Sequence, residues 1–316
     1  MKSECQSRNV LIIYHRADYD GLFSGNIARK FYIESGYKVD TKGYNYGDQV
    51  PEFNEILKTY SEVCILDVSF DPDIMKTLYK SGKVYWIDHH IGTMRVSEEA
   101  GYSEMLGERT TLKIGAVEVA WNYFFRGMKT PHLIELISAY DVWDHDRFVW
   151  DLETTPLQYA LRAKYSLNLE KIWRDWDLLL EDPCEEIILC DELITSGQAI
   201  LKYLKNVWKS WCGNYAFDVL VAGKYKAICM LSAQGGSLQF ESELTPENGY
   251  DLQVVVNRKG PDLYNVGIYK ISDDCNDFDC AKYASEVYKT GNGHKSAAGF
   301  TLNLEQFTKL IRDQVL

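Results

Sequence analysis

The sequence predicts an α/β protein. An N-terminal doubly wound, mostly parallel sheet is followed by a smaller C-terminal α+β domain, and a long helix joins the two. Three observations carry this reading. Between residues 9 and 90, short apolar runs alternate with segments of helical period, the pattern of strands joined by crossover helices. Three of those runs, in NVLIIYH, VCILD and VYWIDHH, stop on aspartate or histidine, as buried strands do when their carboxyl ends open into a site. From Ala216 onward the texture changes to a series of strand-like stretches.

Taken in order, Val10 to Tyr14 is the first strand, and the loop HRADYDG follows it. Leu22 to Glu34 has helical spacing of Leu22, Phe23, Ile27 and Phe31. Tyr37 to Gly43 is a second, weaker strand, Phe53 to Tyr60 a short helix and Val63 to Asp67 a strand. Asp71 and Pro72 are a helix-start signal, Gly82 a stop, and VYWIDHH the next strand. Helices are expected over 114–125, 131–140 and 170–180, and a long one over 185–211, with Gly197 as its weak point. The C-terminal part reads as strands at 217–222, 227–231, 252–257 and 264–269, then helices at 279–288 and 304–316. The expected domains are residues 1–185, a linker helix at 186–212, and residues 213–316.

Composition narrows the function. With 316 residues there is room for two cores, and 46% hydrophobic with 25% charged residues is ordinary for a globular protein. Apolar runs stay well short of the roughly 20 residues that cross a bilayer, and MKSECQSRN lacks a signal-peptide core. The eight cysteines form no CxxC pair, and several lie in apolar surroundings as buried thiols do. A reducing, cytoplasmic compartment is the expectation. A net charge of −12 with no block of Lys or Arg argues against a protein that grips long duplex DNA and favours a small phosphorylated substrate.

His15, Asp18, Asp20, Asp67, Asp88, His89 and His90 are too many polar groups to gather at strand ends without partners. A cation resolves the repulsion among the carboxylates. Mixed carboxylate and imidazole donors suit Mn²⁺, with Fe²⁺, Co²⁺ or Zn²⁺ as alternatives; an all-oxygen Mg²⁺ site would not need imidazole. The donors suffice for two ions, which together clamp a phosphate and generate a hydroxide. Asp67, alone at its strand end, is the candidate to bridge them.

HRADYDG, LDVS, DHH and AYDVWDHD resemble the four motifs of the DHH phosphoesterase superfamily, and GNGHKSAAGF resembles the signature of the DHH-associated domain of the first type. The resemblance runs from about residue 10 to residue 300. It implies that His15 and Asp18 bind one metal and Asp20 the other, that Asp67 bridges, and that His89 and Asp141 are further ligands. It implies that Asp88 orients the histidines and that His90 lies near the substrate phosphate, so that Asp67, Asp88, His89 and His90 form the catalytic group. Gly291, Gly293 and His294 would hold a nucleotide phosphate or terminus in the second domain. The chain departs from the family at Asn292, where a glycine is usual, and at Lys270, the cation nearest to where relatives carry arginine. Asp144, His145 and Asp146 carry no implied role.

The resemblance thus implies a phosphodiesterase or exonuclease, similar to nanoRNase and RecJ-like enzymes, that hydrolyses short oligonucleotides or small nucleotides by a two-metal-activated hydroxide. Its cofactors would be two divalent ions, Mn²⁺ first and Mg²⁺, Co²⁺ or Fe²⁺ as alternatives. The partner would be a short single-stranded oligonucleotide or small nucleotide, with no membrane; a homodimer is left open. Two alternatives are a small-molecule nucleotide phosphatase or cyclic-dinucleotide phosphodiesterase, and a non-catalytic DHH-like scaffold.

Overall fold

Three apolar runs and the weaker stretch at 38–44 become four parallel strands. The computed structural model describes residues 8–165, 167, 172, 183–233, 236–245, 247–271, 277–289, 291–293 and 295–316. The helix expected at 170–180 lies outside the described residues apart from Ile172, as does His294. In chain order the N-terminal elements are β1 (Asn9–His15), α1 (Tyr19–Glu34), β2 (Lys38–Tyr44), α2 (Phe53–Thr59), β3 (Glu62–Leu66), α3 (Pro72–Ser81) and β4 (Val84–Ile87). The strands lie in the order β2-β1-β3-β4, every pair parallel. From β1 the chain winds out to β2 and returns to β3 on the other side of β1. This reversal is the topological switch point at which doubly wound sheets bind ligands.

Register fixes what stands there. Tyr14 pairs with Leu66 and Leu66 with Ile87. The next residues, His15, Asp67 and Asp88, therefore stand level at the carboxyl ends of three adjacent strands. Below them, alternate residues of β1 serve opposite faces, as a period of two requires. Val10, Ile12 and Tyr14 join one apolar cluster, Leu11 and Ile13 another.

Local signals account for many helix ends. Asp18 caps α1 by accepting from Gly21 N–H, so the helix begins at Tyr19, earlier than the apolar spacing indicates. Asp71 caps α3 with Pro72 in its first turn, and Gly82 ends it at φ 65°. β4 stops at Ile87, and His90 already leads into α4 (Ile91–Ala100). Helices α5 (Ala116–Phe124) and α6 (His132–Asp141) fall where expected, whereas α7 (Thr155–Tyr165), entered through a π-helical turn at Trp150–Thr154, was not foreseen.

The long helix α8 spans Pro183–Tyr215, and the chain divides within it into two compact units, Met1–Leu201 and Lys202–Leu316. In the first unit, Glu186 of α8 accepts from the N–H of Leu133 at 2.8 Å and caps α6 from outside. The second unit is a six-stranded mixed sheet of β5 (Phe217–Val221), β6 (Tyr225–Leu231), β7 (Leu252–Arg258), β8 (Leu263–Lys270), β9 (Asn292–Gly293) and β10 (Ala297–Asn303). Its order is β5-β6-β7-β8-β10-β9, and only the β6–β7 pair is parallel. The helix expected at 279–288 is one α turn, α9 (Cys280–Lys282), followed by a π turn at Tyr283–Val287. The final helix α10 (Leu304–Asp313) ends early: Gln314 turns left-handed and Val315 bridges to Leu220. Among the described residues no helix is long and apolar enough to cross a membrane.

Candidate metal centre

The level strand ends and two helix ends bring their polar side chains together. His15, at the end of β1, places Nδ1 2.9 Å from Asp18 Oδ2 and 3.5 Å from Asp67 Oδ2. Its other ring nitrogen, Nε2, lies 3.1 Å from Asn45 Oδ1, which also accepts from the N–H of Tyr46. Because that oxygen is an acceptor, His15 donates to it through Nε2–H, which leaves Nδ1 facing the carboxylates, a donor to them when the ring is charged and a ligand for a cation when it is neutral. His89 places Nε2 3.2 Å from Asp141 Oδ2, 3.5 Å from Asp67 Oδ1 and 3.8 Å from Asp20 Oδ2.

Asp67 faces both histidines, with Oδ2 toward His15 and Oδ1 toward His89. Its backbone is left-handed at φ 57°, a conformation aspartate tolerates better than most residues. Asp20 is buried, and its two oxygens accept from the amides of Ala116 and Val117 at 2.7 and 2.9 Å, the first turn of α5. Asp88 is fully buried and holds its own loop. One oxygen accepts from the backbone N–H of His89 and of His90 and lies 2.7 Å from His90 Nδ1; the other accepts from Thr93 Oγ1. The carboxyl of Asp88 is held below its usual range because the bonds from His90 outweigh burial.

Titration follows from this crowding. Burial, with Asp141, Asp67 and Asp18 alongside, drives the Asp20 carboxyl well above the usual range. Burial and Asp67 push Asp141 up to about 7. Burial works against a charge on His15, yet Asp18 and Asp67 lift it to about 10. The bond to Asp88 lifts His90 to about 9.

Among the described residues three overlapping donor groups could each hold a cation: His15, Asp18 and Asp67; Asp20, His89 and Asp141; and Asp67, His89 and His90. The residues fit divalent ions on one structural ground. Asp67 Oδ1 and His89 Nε2 are buried, 3.5 Å apart, and among the described residues neither has a hydrogen-bond partner. A buried acceptor and a buried imidazole nitrogen left open toward each other cost free energy unless something ligates both.

Sequence reasoning missed Asn45, Thr93 and the α5 amides, which orient the expected groups. Asp20 meets Ala116 across 96 residues of chain, so no local pattern announces the contact. In the second unit, Gly291 and Gly293 pack against their own fold: a Cβ would come within 2.4 Å of the Gly299 carbonyl oxygen and 2.5 Å of that of Ala297. Their smallness thus has a reason apart from any bound anion. Lys270 ends β8, its N–H donates to the Ser296 carbonyl, and its side chain is buried.

A parallel four-stranded sheet followed by a separate mixed sheet is the fold of a solved DHH-domain protein, and the chain has that fold. The DHH domain of a member of the S1p family of ribosomal proteins aligns over 98% of this chain and 88% of its own, at 15% identity and a TM-score of 0.53. An exopolyphosphatase-related protein from Bacteroides fragilis aligns over 98% and 91%, at 13% identity and a TM-score of 0.51. No family model matches the sequence, and no curated protein matches it.

Proposed function

We propose that the protein is a metal-dependent phosphoesterase whose substrates are short oligonucleotides or small nucleotides. The observation that carries this reading is Asp67, buried at a strand end, with one oxygen toward His15 and Asp18 and the other toward His89. His15, Asp18 and Asp67 would hold one divalent ion and Asp20, Asp67, His89 and Asp141 a second, with Mn²⁺ suited to this donor set. When bound, such a pair polarises a phosphoryl oxygen and lowers the pKa of water.

The chain's own residues supply the rest. Asp88 holds His90 at Nδ1, and the His90 side chain is 41% exposed, which leaves Nε2 to meet a substrate oxygen. Asn45 keeps His15 in the tautomer that presents Nδ1. The α5 amides keep Asp20 turned inward. The resemblance to nanoRNase-like enzymes and the net charge of −12 both favour short substrates over long strands.

The test is hydrolysis of labelled RNA and DNA, from dinucleotides upward, with Mn²⁺, comparing wild type with Asp67→Asn. Asparagine tolerates the left-handed backbone, so the variant removes charge without adding strain. Groups that only orient ligands cost roughly 10- to 100-fold when lost, and a carboxylate facing both donor groups should cost at least the upper end. The expected result is a loss of bound Mn²⁺ and of hydrolysis by about 100-fold or more. Wild-type protein that purifies without divalent metal and leaves every diester intact would defeat the proposal.

A further inference from the structure

Beside the donor cluster lies a cavity of about 300 Å³ that the proposed chemistry does not yet use. Its lining shares Asp18, Asp20 and Asp141 with the candidate metal centre. It also includes Tyr140, Trp143, Gln158 and Arg162. Its size is at the lower end of small-molecule sites, which run from roughly 300 to 1,000 Å³, enough for one nucleoside and too small for two.

Two of its residues point to what it takes. Gln158 on α7 is 3% exposed, and among the described residues its carboxamide makes no hydrogen bond. Lining the cavity, the amide presents a donor beside an acceptor to whatever enters it. The Trp143 ring is buttressed edge-on by Tyr140, Trp150 and His145 at centroid distances of 5.6, 5.0 and 5.5 Å, yet the residue is 46% exposed. Its neighbour Trp150 is buried and belongs to the core, so the two tryptophans have different roles. Trp143 also has a left-handed backbone at φ 54°, which a bulky residue rarely adopts. Next to them, the Arg162 guanidinium lies over the rings of Tyr140 and Tyr159.

We infer that this cavity is a nucleoside subsite, in which one base stacks on Trp143 and the carboxamide of Gln158 pairs with the base edge. A side-chain amide matches any base edge that sets a donor beside an acceptor, and a stacked aromatic accepts every base. The assignment to a nucleoside rests on the phosphoester reading above. Because the cavity holds a single nucleoside beside the donor cluster, the scissile ester is placed next to a terminal nucleotide.

The experiment separates the two readings. The metal-free full-length chain is titrated with adenosine, guanosine, cytidine and uridine, uncharged probes that the neighbouring carboxylates do not repel. Independently, wild type and Asp67→Asn are assayed with Mn²⁺ on methyl p-nitrophenyl phosphate, which carries no base; failure there counts against the phosphoesterase reading alone. The expected result of the titration is saturable binding of at least one nucleoside. Trp143→Ala should weaken it by at least about fivefold, the lower bound for a base stacked on an aromatic ring. Gln158→Met should weaken it likewise without lowering the melting temperature, since no internal hydrogen bond is lost; a purely structural glutamine would lower it. Failure of all four nucleosides to bind at millimolar concentration, or variants that bind like wild type, would overturn the inference.

Discussion

Asp67 has two unequal oxygen environments. Oδ2 lies 3.5 Å from His15, while Oδ1 is buried beside His89 without a hydrogen-bond partner among the described residues. The sequence singled out Asp67 as a lone carboxylate at a strand end, but its left-handed backbone, its split orientation and Asn45 behind His15 were not legible there. Asn45→Ala should free His15 to change tautomer and weaken Mn²⁺ binding by roughly 10- to 100-fold. Isothermal titration would show this, and an unchanged affinity would remove Asn45 from the site. The histidines also set a pH dependence. His15 rises from 6.5 to about 10, His90 to about 9, and Asp141 from 3.8 to about 7. A pKa higher in the folded than in the unfolded state gives stability that is complete below the unfolded value and is lost as pH passes the folded one. The opposite shifts of Asp18 and Asp88 act near the acid range and do not compensate here. The metal-free protein should therefore lose melting temperature from about pH 4, where Asp141 begins to contribute, to about pH 10, where His15 ends, and saturating Mn²⁺ should remove most of that loss. Melting curves with and without chelator check it; a metal-free protein that becomes more stable across this window would contradict it.

At the scale of elements, close approaches decide where helices can lie. Gly197 weakens the expected long helix on propensity alone, and the structure gives its reason: a Cβ there would come within 1.9 Å of the Pro156 carbonyl oxygen. Alanine would gain about 1 kcal/mol in helix propensity. The clash is with backbone, and overpacking of this kind costs typically 1–3 kcal/mol or more. Gly197→Ala should accordingly destabilise the protein in urea titrations despite being the better helix former. Gly115 shows the same logic at the site, since a Cβ would sit 2.5 Å from Asp20 Oδ1, so Gly115→Ala should lower Mn²⁺ affinity as it displaces that carboxylate. Apolar spacing found α1, α5 and α6 because each shows a face of period 3.6 to a core. It missed α7, whose buried face includes Thr155, Pro156 and Gln158, and it missed β10, which carries the AAGF end of the GNGHKSAAGF string.

At the scale of the whole molecule, the chain is two compact units with separate cores. A ligand that binds the folded state stabilises it by mass action, by about 2.7 kcal/mol at a hundredfold excess over Kd. Mn²⁺ should thus raise the unfolding transition of residues 8–165 and leave that of the C-terminal sheet unchanged. Hydrogen exchange read along the chain would show the difference; equal protection of both units would place the binding elsewhere. The sequence by itself determined the strand and helix order, and the residues that end β1, β3 and β4. Periodicity and the ends of apolar runs are properties of neighbouring residues and survive in one dimension. Only the tertiary structure decided that Asn45 and the α5 amides orient His15 and Asp20, that Trp150 is buried while Trp143 lines a cavity, and that Gln158 lines the same cavity. Those facts depend on contacts between residues tens of positions apart, and such contacts leave no periodic trace in the chain.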